Sequence, residues 1–112
     1  MNIQSIYVEL DREGTEGMMP DYRGEQLAKT VKNYCETYED QIRRLYPLAA
    51  IDVSAYQSRT YSTVEVNRYE FRIPVNGEDV EDADRELANV AEVVERIGYK
   101  MLDLADQWDT VR

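Results

Sequence analysis

From Val80 to Val111 the apolar positions recur at spacings of three and four: Val80, Ala83, Leu87, Val90, Val94, Ile97, Met101, Leu104, Trp108 and Val111. No polar residue interrupts this stripe, and the period predicts one long amphipathic helix from Asp79 to Gln107. Such a helix would be on the order of 43 Å long at ~1.5 Å per residue. It would outreach a strand of eight to ten residues, which covers only about 26–34 Å. Beside the stripe, Ala91, Gly98 and Ala105 repeat every seven residues. An interior glycine costs roughly 1 kcal/mol of helix propensity relative to alanine, so Gly98 points to tight packing within the chain or across a dimer. The overhanging end, with Ile97, Met101, Leu104 and Trp108, is the expected homodimer interface; the alternative is that the whole stripe packs on this chain's own sheet.

A second helical period runs from about Asp21 or Tyr22 to Tyr46, with Asp21 as the expected N-cap and Pro47 as the stop. Its stripe is Leu27, Val31, Tyr34, Tyr38, Ile42 and Leu45, broadened by Ala28 and Cys35. The stretches with period two are shorter. Asn2 to Leu10 alternates with Ile6, Val8 and Leu10 on its cleaner apolar face, and predicts a strand. Leu48 to Gln57 sets Ile51, Val53 and Ala55 against Asp52, Ser54 and Tyr56, a half-buried strand with one wet face. Tyr61 to Val75 starts with Val64 and Val66 on even positions and continues with Tyr69, Phe71 and Ile73 on odd ones. One strand cannot bury both sets on one face, so a bulge or bend is expected near Asn67-Arg68. Ser58-Arg59-Thr60 is expected to turn a hairpin between the last two strands, and Asp11 to Asp21, with Gly14, Gly17 and Pro20, reads as a loop.

The order is β-α-β-β-α. It predicts an α+β two-layer sandwich: a three-stranded, mostly antiparallel sheet with both helices on one face. The other sheet face would carry Asp52, Tyr56, Glu65, Arg68, Glu70 and Arg72. The 112 residues are expected to form one domain, large enough for a single core. No apolar run approaches a membrane span, and Asn2 to Leu10 is a strand pattern and not a basic-then-apolar signal. The lone Cys35 excludes an internal disulfide and fits a reducing compartment, so a cytoplasmic location is expected.

Charge changes the picture most. Twenty-three Asp and Glu oppose thirteen Lys and Arg, for a net charge of −10. Such a field disfavours nucleic acid and anionic membranes as direct partners and favours basic protein surfaces. The acids are dense at Glu36, Glu39 and Asp40, and again at Glu78, Asp79, Glu81, Asp82 and Glu86; these are the expected partner-binding residues. Acidity also serves solubility or salt adaptation, and only Lys29, Lys32 and Lys100 among the basic residues are lysines. Acids at the start of a helix are favoured by its dipole in any case.

There is no histidine, which removes Ser-His-Asp and Cys-His catalysis and most zinc sites. No phosphate-binding glycine loop or calcium-loop spacing occurs, so no catalytic residue, metal or cofactor is expected. Nine tyrosines interleave with the acids. Tyrosine offers rigid area with one hydrogen-bonding end, and with carboxylates it could imitate nucleic-acid charge in a basic groove. The expected function is a non-enzymatic binding module that occupies a basic, nucleic-acid-binding surface of a partner protein. Small phage-type inhibitors of anti-restriction or anti-CRISPR kind share this size and charge. The alternative is an assembly module that homodimerises or docks through its C-terminal helix.

Overall fold

The computed structural model describes residues 3–58, 61–73 and 85–110. In chain order the elements are β1 (Ser5–Glu9), α1 (Arg12–Gly17), α2 (Gly24–Leu45), β2 (Ala50–Ser54), β3 (Ser62–Val66), β4 (Tyr69–Ile73), α3 (Arg85–Lys100) and α4 (Ala105–Trp108). The class is α+β, as the periodicities imply, but the sheet is four-stranded and mixed, in the order β2-β1-β3-β4. β1 pairs with β2 in parallel and with β3 antiparallel, so the expected β2–β3 hairpin does not form. A strand, a long helix and a second strand form a crossover unit, and such a unit returns the chain parallel to its start. β1 therefore separates β2 from β3.

The hairpin lies one step later, between β3 and β4. Its turn residues are Asn67 and Arg68, both with positive φ (48° and 78°), and Val66 faces Tyr69 in the ladder. A two-residue turn of this hand matches the twist of paired strands. It also accounts for the switch of parity. Val64 pairs with Phe71 and Val66 with Tyr69, so even positions on β3 and odd positions on β4 share a face. No bulge is needed. Asn67 Oδ1 additionally accepts from the N–H groups of Gln4 (2.7 Å) and Ser5 (3.1 Å), tying the turn to the start of β1.

One face of the sheet carries Ile6, Val8, Val53, Val64, Val66 and Phe71, all buried in a single cluster with Tyr38 and Ile42 of α2 and Leu87, Val90, Val94 and Ile97 of α3. The expected stripe of α2 is buried at Tyr34, Tyr38 and Ile42, whereas Leu45 is 58% exposed. Arg23, not Asp21, occupies the α2 N-cap and makes no side-chain cap hydrogen bond. The expected loop after β1 contains α1, whose N-cap Asp11 accepts from Gly14 N–H at 3.1 Å.

The C-terminal stripe is not one straight helix. α3 ends at Lys100, and the chain tightens into turns closed by Asp103 N–H to Lys100 O (2.9 Å) and Leu104 N–H to Met101 O (3.2 Å). The part of the expected helix before Arg85 lies outside the described residues. The Met101 carbonyl at this turn also accepts from Trp108 Nε1 at 2.8 Å. The chain thereby folds back instead of overhanging. Trp108 meets Tyr34 of α2 edge-to-face, with centroids 5.1 Å apart. Tyr22 donates to Asp109, and Thr30 shares a 2.8 Å hydrogen bond with Thr110, fixing the tail along the start of α2.

The packing between the helices accounts for Gly98. A Cβ at this position would stand 2.9 Å from the hydroxyl oxygen of Tyr38, which donates to the Val94 carbonyl at 2.5 Å. The glycine admits the tyrosine of α2 against the backbone of α3, within one chain.

Candidate functional site

Strand alternation sends the residues between the core positions to the opposite face of the sheet. The register aligns Asp52, Tyr7, Glu65 and Glu70 in one row across all four strands. Adjacent strands are ~4.8 Å apart, so this row is about 14 Å wide. Asp52, Tyr7 and Glu70 are exposed and Glu65 is half-buried. Among the described residues, no Lys or Arg pairs with Asp52, Glu65 or Glu70. Tyr56, 81% exposed, stands beyond the end of β2. Three carboxylates and a phenol thus share a flat polar surface, the face that the strand alternation assigned to Asp52, Glu65 and Glu70.

The next row is Ser54, Glu9, Thr63 and Arg72. Its centre is a buried carboxylate. Glu9 is 3% exposed and accepts from Tyr7 Oη (2.8 Å), Ser54 Oγ, Tyr56 N–H (3.2 Å) and Gln57 N–H (3.1 Å). Burial works to raise its pKa, but the bonds from Ser54, Tyr7 and the two amides outweigh it and hold the carboxyl below its ordinary value. The charge stays on, and it fixes the chain where β2 ends. Tyr7 is held the other way. Its bond to Ser54 would lower its pKa, but desolvation and the neighbouring Glu9 raise it, so the phenol keeps its proton. Nothing in the strand periodicity marks this hub. Its signal is a glutamate at a strand position opposite a serine, which only the parallel register brings together.

Of the expected partner-binding acids, Glu36, Glu39, Asp40 and Glu86 fall within the described residues. Glu36 is exposed on α2. Glu39 turns inward, accepting from the edge amide of Val53 at 3.0 Å and from Arg43 at 3.2 Å. Asp40 is also engaged by Arg43, at 3.3 Å. Glu86 is exposed at the start of α3, and Glu78, Asp79, Glu81 and Asp82 lie outside the described residues. Of the expected dimer residues, Ile97, Met101 and Trp108 are 5%, 0% and 4% exposed within the single chain, and Leu104 is half-buried. That stripe is filled by the chain's own α2 and sheet.

A groove of about 820 Å³ runs between α2 and β2, floored by Leu27, Val31, Cys35, Val53 and Ala55. Cys35 sits in it as a core residue. Burial first, then the nearby Glu9 and Glu39 charges, push its thiol up to about 12, so it is protonated and unreactive near neutral pH. Among the described residues, no group of three Asp, Glu, Cys or His side chains converges to hold a metal ion. No described helix is long and apolar enough to cross a membrane. No protein family, curated protein or solved structure matches the chain.

Proposed function

We propose that the chain is a non-enzymatic acidic module that occupies a basic, nucleic-acid-binding surface of a partner protein, using the open face of its sheet. The observation that carries this reading is the Asp52–Tyr7–Glu65–Glu70 row. Its carboxylates lack cationic partners among the described residues, whereas Glu16, Glu39, Asp40 and Glu92 on the helices are engaged locally by Arg12, Arg43 and Arg96. Carboxylates already held on a rigid sheet need little reorganisation when a row of Lys or Arg approaches, and they steer its encounter. The exposed Tyr7 and Tyr56 add contact area at low entropy cost.

The test is charge reversal at the row, Asp52→Lys, Glu65→Lys and Glu70→Lys together, against a charge-matched control at Glu13, Glu25 and Asp106, which are exposed elsewhere. Fluorescence anisotropy with a labelled arginine-rich peptide is read at low and high salt. The row variant is expected to bind at least about tenfold more weakly than the control, with a steep loss of binding in salt for the native chain. Equal losses in the two triple variants would mean that only net charge matters, and would remove the open face from the mechanism. The helix-docking alternative has less to offer, because Ile97, Met101 and Trp108 are already buried within the chain.

A further inference from the structure

A separate cavity of about 360 Å³ lies on the other side of the sheet, where the β1–α1 junction meets α2 and α3. Its lining includes Tyr34, Tyr38, Tyr61 and Tyr99, with Glu95 and Asp11. Four tyrosines and two carboxylates around one opening bring π surface and negative charge together. Two of these groups, which line the opening, have room for a further hydrogen bond. Tyr34 is 4% exposed, and among the described residues nothing hydrogen-bonds its hydroxyl. Glu95 is half-buried; its carboxylate accepts from Tyr99 Oη at 3.3 Å, and no Lys or Arg pairs with it among the described residues. The same chemistry already operates beside the cavity, where the Arg72 guanidinium lies 4.3 Å from the centroid of the Tyr61 ring.

We infer that this cavity binds an organic cation that carries N–H donors, specifically a guanidinium group such as an arginine side chain. The tyrosine rings that line the cavity, Tyr99 the most exposed of them, attract the positive charge. Glu95 supplies the opposite charge and accepts a forked pair of hydrogen bonds. The Tyr34 oxygen, which lines the cavity, accepts a further N–H. A quaternary ammonium would use the rings and the charge but leave both acceptors unfilled, so a guanidinium is the better match. The volume is at the low end of ligand sites and suits one side-chain head with its methylene stem. The inference rests on the proposed function for its source: on a basic partner, such a group would be an arginine that anchors the acidic module.

Arginine amide is the probe, titrated into the intact chain and followed by NMR of the tyrosine rings and by fluorescence of Trp108, which packs on Tyr34. Saturable shifts of Tyr34, Tyr38 and Tyr99 are expected, with tetramethylammonium at least about fivefold weaker. Glu95→Gln, at a half-buried helix surface, should weaken binding at least about tenfold while Glu92→Gln, exposed on the same helix, leaves it unchanged. Tyr99→Leu, at a position 72% exposed, gives a second variant that does not threaten the core and should weaken binding by a smaller factor. Shifts that do not saturate, an equal response to tetramethylammonium, or equal effects of the two glutamine variants would overturn the assignment. Failure of the two readings separates cleanly. Saturable arginine amide binding with no row dependence for the arginine-rich peptide keeps the cavity and removes the open face; the reverse result removes the cavity.

Discussion

Glu9 is a charge kept inside the molecule, and its energetics are set by four donors. Replacing it by glutamine retains an acceptor for one or two of them but removes the charge that all four address. Glu9→Gln is expected to destabilise the fold by about 1–3 kcal/mol near neutral pH, measured by urea unfolding. The pH dependence follows from the sign of the shift. The folded pKa is depressed below the ordinary 4.5, so the stabilisation is complete above that value and is lost as pH falls through the folded pKa. The difference between native and variant stability should therefore shrink as pH falls below about 4.5. A difference that stays constant down to acid unfolding would show that the charge is not what the hub uses. Residues of this kind are poorly legible in a sequence. Tyr7, Glu9 and Asp52 alternate correctly as wet positions, but Glu9 is wet by register and dry by burial, and only the pairing of Glu9 with Ser54 separates the two. Gly98 was legible as a point of close approach, while its occupant, the Tyr38 hydroxyl, was not.

At the scale of elements, the β3–β4 turn holds a non-glycine residue where glycine is favoured. Arg68 has φ of 78°, in the left-handed region that disfavours a side chain by roughly 1 kcal/mol. Arg68→Gly is expected to raise stability by about 0.5–1 kcal/mol, read as a higher urea midpoint with an unchanged slope. An unchanged or lower midpoint would mean that the arginine side chain makes good its backbone strain. The same turn shows why the strand order was hidden. Without an Asn-Gly or Asp-Gly pair, the stretch from Tyr61 to Val75 reads as one long irregular strand, although a change of parity across two residues is what a tight hairpin writes into a sequence. The helices were easier, because 3.6-residue periodicity survives local noise: α2 agrees with its expected span to within a turn at either end. The C-terminal stripe failed at a place periodicity cannot see. Shifting from four-residue to three-residue hydrogen bonds after Lys100 sets the inward positions at Met101, Ala105 and Trp108 and bends the chain onto α2.

For the molecule as a whole, the strongest electrostatic influence is a net charge of −10 on a chain of 112 residues. Self-repulsion of that size opposes compaction and is screened by salt. The melting temperature is therefore expected to rise as monovalent salt is added, measured by circular dichroism. A melting temperature that falls or stays level would indicate that local ion pairs such as Arg43 with Glu39 and Asp40 compensate the repulsion. The mixed sheet has a further consequence, in the order of assembly. β1 comes from the start of the chain yet lies between β2 and β3, and its parallel partners begin only at Ala50, beyond the whole of α2. The β3–β4 hairpin and the turns of α2 form from local contacts, whereas β1 must wait for a long loop to close around it. In chain order β1 precedes both of its ladder partners, and the nearer of them, β2, follows only after α2. β2 and β3 have no ladder with each other, so the arrival of that first strand is the event that turns a helix and a hairpin into a sheet.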